Sequence, residues 1–197
     1  MDLILIKRAI LSVTQKDGLI ELATFLHKHN VELVSTGGTL ATLHSAGLPI
    51  TAVSSVTGFP EILGGRVKTI HPNIHAGILA DKNNSEHTNT LQQLGIQPFD
   101  LVCVNLYEFE KALMKKFNPY EMVENIDIGG PCMLRAAAKN FHSVLVLPSP
   151  TFYSEAIKEL SINSMYSSLT FRKKMAAESF KITSQYDTII ATYLENN

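Results

Sequence analysis

Short apolar runs alternate along the chain with stretches in which apolar residues recur at helical spacing. Residues 9–13 (AILSV) form the first run, and Thr14-Gln15-Lys16-Asp17-Gly18 breaks it. Leu19, Ile20, Leu22, Ala23 and Leu26 then follow a 3.6-residue period, which predicts a helix over 19–27. Residues 31–34 read as a strand, Ser35-Thr36-Gly37-Gly38-Thr39 as a loop, and 40–46 as a short helix ended by Gly47. A further strand is expected at 50–53. This β-α-β-α-β order predicts an α/β fold, an open parallel sheet with helices on its faces.

Residues 58–80 fit neither period and are expected to be irregular. A helix over 84–94 closes at Gly95. Residues 101–107 (LVCVNLY) are the most strand-like of the chain and apolar enough for the centre of a sheet. A short helix is expected over 119–125, then one over 131–140, because proline suits a first helical turn. Residues 144–147 read as a strand and Pro148-Ser149-Pro150 as a turn. Beyond residue 150 the texture changes to two long helical patterns, 151–160 and 169–194, with no clear strand. The expected organisation is an α/β domain over 1–150 and a C-terminal helical segment over 151–197, packing on that domain or on a partner. No repeat, low-complexity tract or flexible linker interrupts it.

Composition narrows the class. The 197 residues are 45% hydrophobic and 18% charged, with a net charge of -1, as in an ordinary globular domain. A general attraction to nucleic acid or acidic membranes is not implied, although a local basic pocket is compatible with it. The two cysteines, Cys103 and Cys132, have no metal-like spacing and no disulfide pattern, which fits a reducing compartment. The apolar N-terminus is interrupted by Lys7-Arg8, unlike a signal peptide, and no run reaches membrane-spanning length. A cytoplasmic protein is expected.

Several stretches carry chemistry. The Ser35–Thr39 loop joins a strand to a helix, and its glycines, free amides and threonine hydroxyls suit an anion such as phosphate; an ordinary βα turn has the same pattern. Ser12 and Lys16 follow the first strand and emerge at the same sheet edge, where open α/β sheets bind ligands. Arg66 and Lys68 face one way if the backbone is extended, and two converging cations suit an anionic ligand or a developing charge; a solvated surface pair is the common fate of such residues. His71 and His75 have a zinc-like spacing, but Pro72 argues against a helix continuing through His71 and no third ligand is evident, so no metal site is expected. Asn105 and Tyr107 close the strongest strand. Asp127 precedes Gly129-Gly130-Pro131 and reads either as a helix-capping carboxylate or as a base beside backbone amides. Arg135 and Lys139 lie one turn apart on the following helix, where a solvated face is the default.

Taken in order, Leu11-Ser12-Val13-Thr14-Gln15-Lys16, the Ser35–Thr39 loop, Thr57-Gly58-Phe59-Pro60-Glu61, Gly65-Arg66-Val67-Lys68-Thr69-Ile70-His71-Pro72, Asn105-Leu106-Tyr107, Ile126-Asp127-Ile128-Gly129-Gly130 and Arg135-Ala136-Ala137-Ala138-Lys139-Asn140 resemble the IMP cyclohydrolase domain of the bifunctional purine-biosynthesis enzymes that also carry AICAR transformylase. Tyr186-Asp187 and Tyr193-Leu194 resemble the segment leading into the transformylase half. The resemblance implies a methylglyoxal-synthase-like fold and ring closure of 5-formamidoimidazole-4-carboxamide ribotide (FAICAR) to inosine monophosphate (IMP), with loss of water and without cofactor, metal or folate. It implies Lys68, Tyr107, Asp127 and Lys139 as the catalytic set. Ser12, Lys16, Thr36, Gly38 and Thr39 are implied as phosphate and ribose contacts, and Arg66, Thr69, Asn105, Gly129 and Gly130 as contacts to the base or reacting groups. The chain departs from the family pattern at Gln15, where aspartate is common, and at Glu108, where proline is common.

Every matching motif belongs to the cyclohydrolase half, and none is left over for a folate site, so cyclisation without formyl transfer is expected. In that reaction a carboxamide nitrogen attacks a formyl carbon, which asks for a base and for oxyanion donors. Asp127 suits the first, Lys68 and Tyr107 the second, and Lys139, eight residues past Pro131, is the hardest to place. A homodimer is expected, with no nucleic-acid or membrane partner. The same fold also serves allosteric ligand-binding domains, which have no need of Lys68, Tyr107 and Asp127 together, and methylglyoxal synthase, which turnover of dihydroxyacetone phosphate would distinguish.

Overall fold

The computed structural model describes residues 2–115 and 117–196. The chain begins with β1 (Leu3–Leu5) and β2 (Arg8–Ser12), followed by α1 (Leu19–Lys28), β3 (Glu32–Ser35), α2 (Gly37–Ser45), β4 (Thr51–Ala52) and α3 (Val53–Thr57). A 3-10 turn at Leu63–Gly65 leads to α4 (Pro72–Leu79), α5 (Ser85–Gln93), β5 (Leu101–Val104), α6 (Phe109–Met114), α7 (Pro119–Glu124) and α8 (Gly129–Lys139). β6 (Leu145–Leu147), α9 (Tyr153–Ile162), β7 (Tyr166–Ser168) and α10 (Leu169–Asn196) complete it.

Five strands pair in the order β4-β3-β2-β5-β6, all parallel. The central strands are buried end to end, which explains their unbroken apolar sequence: Ala9, Ile10 and Leu11 on β2 and Leu101, Val102 and Cys103 on β5 are fully buried. From β2 the chain winds outward through α1 to β3, and from β5 it winds the other way through α8 to β6. Right-handed crossovers in opposite directions place α1 and α8 on opposite faces. Helix α9 packs beside α1, whereas α4 and α10 pack against α8. The order therefore reverses between β2 and β5, and the crevice beyond their carboxyl ends is where such sheets take ligands.

The structure corrects several sequence expectations. The strand expected at 50–53 keeps only Thr51–Ala52, because Val53 already starts α3. The strand expected at 101–107 ends at Val104, where Asn105 turns its side chain to the neighbouring loop. Within the stretch expected to be irregular, α4 begins at Pro72, its first turn capped by His71, whose Nδ1 accepts from Asn73 N. Two helices start earlier than expected, α2 at Gly37 and α8 at Gly129. Beyond residue 150 there is a strand after all: β7 pairs antiparallel with β1, Ile4 opposite Ser167. One hydrophobic core runs through both parts of the chain, with Tyr153, Leu160, Phe171, Met175 and Tyr186 joining the sheet residues.

Candidate active site

A cavity of about 630 Å³ opens at the β2/β5 reversal, a size suited to a small-molecule ligand. Its floor is set by two side-chain clamps. The Thr39 hydroxyl donates to Val13 O and accepts from Val13 N, both at 2.9 Å, tying the end of β2 to the start of α2. Asn105 Oδ1 accepts from Thr14 N (2.6 Å) and Gln15 N (3.0 Å), while its Nδ2 donates to Gln15 O (3.0 Å). Both residues line the cavity, yet their side chains are engaged in shaping the loop that carries Lys16, so Thr39 is left to meet a ligand through its backbone.

The amino end of α2 faces this space. Thr36 is extended and makes no side-chain cap, leaving the first amides of the helix to a ligand. Lys16 Nζ and Lys68 Nζ stand over it, 3.8 Å and 3.7 Å from where a β-carbon on Gly38 and Gly37 would be. The opposite wall is a tight reversal in which Ile62 and Val67 exchange backbone hydrogen bonds and Leu63, Gly64 and Gly65 have φ of 55°, 63° and 97°. A side chain at Gly65 would also stand 2.8 Å from Glu61 Oε1. This reversal delivers Arg66 and Lys68. Arg66 has helical backbone angles, so the two cations do not share a strand face as an extended chain would require; both nevertheless line the cavity. Each is held by a carboxylate that also lines it: Lys68 pairs with Glu61 at 3.2 Å, and Arg66 with Glu124. The Arg66 guanidinium holds the Glu124 carboxyl below its usual range.

The third wall is the entry to α8. Asp127 Oδ1 accepts from Gly130 N at 2.8 Å, and the Tyr107 amide also favours the charged carboxylate. Burial pushes the Asp127 carboxyl above its ordinary value, against the opposing pull of those two amides and the Lys68 charge. No side chain fits at either following glycine: a β-carbon at Gly129 would lie 2.7 Å from Thr69 Oγ1, and one at Gly130 2.9 Å from Leu106 Cδ2 and against the Asp127 carboxylate. The Tyr107 ring is 43% exposed at the cavity mouth. A half-buried carboxylate, an ammonium and a phenol thus share one space with the free end of a helix, an arrangement able to hold an anion and to move a proton nearby.

Residues 18–132, more than half of the chain, match the MGS-like domain family. The chain belongs to that family. Residues 137–197 match the AICARFT/IMPCHase bienzyme family. Among curated relatives, the bifunctional purine biosynthesis protein PurH of Oenococcus oeni is 50% identical over 189 residues, covering 95% of this chain and 37% of the relative. PurH of Acetivibrio thermocellus is 48% identical over 191 residues, with 96% and 37% covered. The chain thus spans 37% of the length of these relatives. A solved structure, "Crystal structure of ForH", aligns with a TM-score of 0.83 at 33% identity, covering 94% of this chain and 97% of that one.

Within this MGS-like domain the cavity brings together Ser12, Lys16, Thr36, Gly38, Thr39, Arg66, Lys68, Thr69, Asn105, Tyr107, Asp127, Gly129 and Gly130. It does not bring in Lys139. That residue ends α8, exposed, ten residues from Gly129 and so about 15 Å along the helix from Asp127's end. His71 caps α4 through Nδ1, and burial lowers the pKa of the His75 imidazole. Among the described residues no group of three His, Cys, Asp or Glu is placed to hold a metal.

Sequence reasoning gave no role to Glu61 or Glu124, because an acidic residue in a cationic pocket has no local signature. It also missed that the two departures from the family pattern touch. Gln15 Nε2 donates to Glu108 Oε1 at 2.6 Å, and Lys111 pairs with the same carboxylate at 2.6 Å, joining the loops of Lys16 and Tyr107. An aspartate at 15 would instead face that carboxylate with its own charge.

Proposed function

We propose that this domain is an IMP cyclohydrolase, closing FAICAR to IMP with loss of water, the last step of de novo purine biosynthesis, within the cyclic-amidine hydrolase class. The observation that carries the reading is the convergence of Lys68, Tyr107 and Asp127 on the cavity whose far end is the open amino terminus of α2. It is supported by 50% identity to a bifunctional purine biosynthesis protein.

In this reading the substrate phosphate sits at the Thr36–Thr39 turn with Lys16 and Ser12, displacing nothing that the helix itself needs. Binding holds the carboxamide and formyl groups in the reactive rotamer. Asp127 accepts the proton from the carboxamide nitrogen as that nitrogen bonds to the formyl carbon. The formyl oxygen takes up the negative charge and meets Lys68 Nζ and the Tyr107 hydroxyl. Either donor protonates that oxygen to a hydroxyl, which leaves as water with the proton Asp127 took up, while the formamido N–H returns its proton to the donor and the new C=N bond completes the purine. Arg66 and the amides at Gly129 and Gly130 orient the base-forming end. Lys139 keeps a place only as a distant charge.

The reading extends to a cytoplasmic homodimer without nucleic-acid or membrane partners; no helix among the described residues is long and apolar enough to cross a membrane. The test is direct. Purified protein given FAICAR yields IMP, and given AICAR with 10-formyltetrahydrofolate leaves both unchanged. Absence of IMP, or conversion of dihydroxyacetone phosphate in its place, overturns the proposal.

A further inference from the structure

The backbone of Asp127 is held from outside the sheet domain. Helix α10 reaches back across α8 and α6 and presents Tyr186 beneath the loop that enters α8. The Tyr186 hydroxyl accepts from Asp127 N at 2.8 Å and donates to Asn125 O at 3.3 Å, so one oxygen bridges two peptide groups of that loop. Its ring is 7% exposed and meets Phe109 edge-on, with centroids 6.5 Å apart. Phe109 in turn packs edge-on against Tyr193, about two helical turns along α10, at 5.6 Å. The hydroxyl is therefore placed by a packed aromatic cluster and not by a freely rotating side chain.

We propose that Tyr186 is a positioning residue for the Asp127 carboxylate, making α10 a working part of the site. The inference rests on the proposed cyclohydrolase reading for its catalytic consequence, and on geometry alone for the clamp. Asp127 stands between two supports. Its side chain accepts from the Gly130 amide, and its own amide donates to Tyr186. Without the phenol, the Asp127 amide loses its partner; Asn125 N and Ile126 N keep their bonds to Met122 O (3.0 Å) and Val123 O (3.1 Å), but rotation of the peptide between Ile126 and Asp127 would swing the carboxylate relative to the substrate nitrogen. Misplacement by an ångström is enough to cost orders of magnitude in rate. Burial pushes the Tyr186 hydroxyl up to about 12, with the Asp127 charge adding to it, so the phenol keeps its proton for Asn125 O through the neutral range.

The test is Tyr186→Phe, which retains the ring and its contacts with Phe109 and removes only the bridging oxygen. Three measurements go together: amide hydrogen exchange residue by residue, IMP affinity, and steady-state FAICAR cyclisation. We expect exchange at the Asp127 amide to accelerate about tenfold, the loss of one modest hydrogen bond, while the remaining amides of α10 keep wild-type protection. We expect kcat to fall about tenfold with KM and IMP affinity unchanged within about twofold. A general packing role would instead loosen α10 as a whole and leave kcat of the folded fraction intact, and that pattern overturns the proposal. So does wild-type exchange at Asp127. Should the variant not fold, the wild-type protein decides: Asp127 N–H must exchange far more slowly than a free peptide, and free-peptide exchange there overturns the clamp. If wild-type protein makes no IMP, the cyclohydrolase reading fails, while the Asp127 exchange result still judges the clamp.

Discussion

Replacing Asp127 by asparagine separates two readings of one carboxylate. As a cap, it satisfies amides at the entry to α8; as a base, it must accept a proton. Asparagine keeps the shape and one acceptor oxygen, enough for the Gly130 amide at 2.8 Å, but it loses the charge that the Tyr107 amide and Lys68 favour. Losing one charge-assisted bond costs about 1.5–3 kcal/mol. Against this, burial disfavours the ionised carboxylate, raising its pKa, and the neutral amide escapes that penalty. A carboxyl whose folded-state pKa is raised contributes stability below its unfolded pKa and loses it as pH rises through the folded one. At neutral pH the wild-type side chain therefore works against folding, and the two effects oppose each other. The expected net change is within about 2 kcal/mol, or about 4–8 °C in Tm at the 2–4 °C per kcal/mol usual for this chain length. The rate responds differently. Removing a general base costs about 100- to 10,000-fold, so kcat for FAICAR is expected to fall into that range while calorimetric IMP affinity stays close to wild type. In the wild type, kcat/KM should rise with pH through an ionisation lying above the ordinary carboxylate value, and this limb should vanish in Asp127→Asn. A variant turning over within about threefold of wild type, with the limb intact, would refute the base assignment and leave Asp127 a cap.

Lys68→Ala is expected to lower kcat about 100- to 1,000-fold as an oxyanion donor is removed. Its pairing with the exposed Glu61 is worth at most about 1 kcal/mol, so Tm should barely move; wild-type turnover by the folded variant would remove Lys68 from the mechanism. Arg172→Met should be severe: Arg172 is fully buried and donates to Phe141 O (2.7 Å), His142 O (3.3 Å) and Ser167 O, and each carbonyl left without a partner costs about 1–3 kcal/mol, read as a fall in Tm. Cyclisation should proceed unchanged in excess chelator; a strict metal requirement would return His71 and His75 to consideration as ligands.

The sheet was legible because its strands are buried on both faces and its helices on one, so the two periods separate cleanly along residues 9–53 and 101–147. The loops at the sheet's ligand edge were legible because they combine glycine with cations and hydroxyls. What escaped has physical reasons. β1 and β7 are three residues each, too short for a period, and exist only because they pair with each other across the whole chain. Helix α4 hides behind His71-Pro72, whose helix-breaking look is that of a capped first turn. Gly129-Gly130 reads as a loop, although these glycines are helical and owe their identity to Thr69, Leu106 and the Asp127 carboxylate, which leave no room for a side chain. Lys139 shows the limit of resemblance read in one dimension: its motif is present, and the helix that carries it takes it to the far end.

The residues that support the site come largely from the part of the chain that looked least informative. Tyr153 on α9 places its hydroxyl 3.2 Å from Cys103 Sγ and against the Asn105 side chain, the same side chain that holds the Thr14–Gln15 loop and hence Lys16. Tyr186 on α10 holds the Asn125–Asp127 loop. Arg172 fixes the first turns of α10 to the carbonyls that follow α8 and to β7. Two phenols and one guanidinium thus tie both walls of the cavity to the segment after residue 150, and each tie uses a backbone carbonyl, an amide or an asparagine, groups that no substitution pattern advertises. A parallel sheet leaves its ligand edge to loops, and loops at a sheet edge have few apolar contacts of their own to hold them. Their order comes from hydrogen bonds, some made at the sheet edge itself by Thr39 and Asn105 and some supplied by an outer layer, here α9 and α10. A segment whose sequence reads only as amphipathic packing therefore governs how accurately the carboxylate and the lysine are aimed.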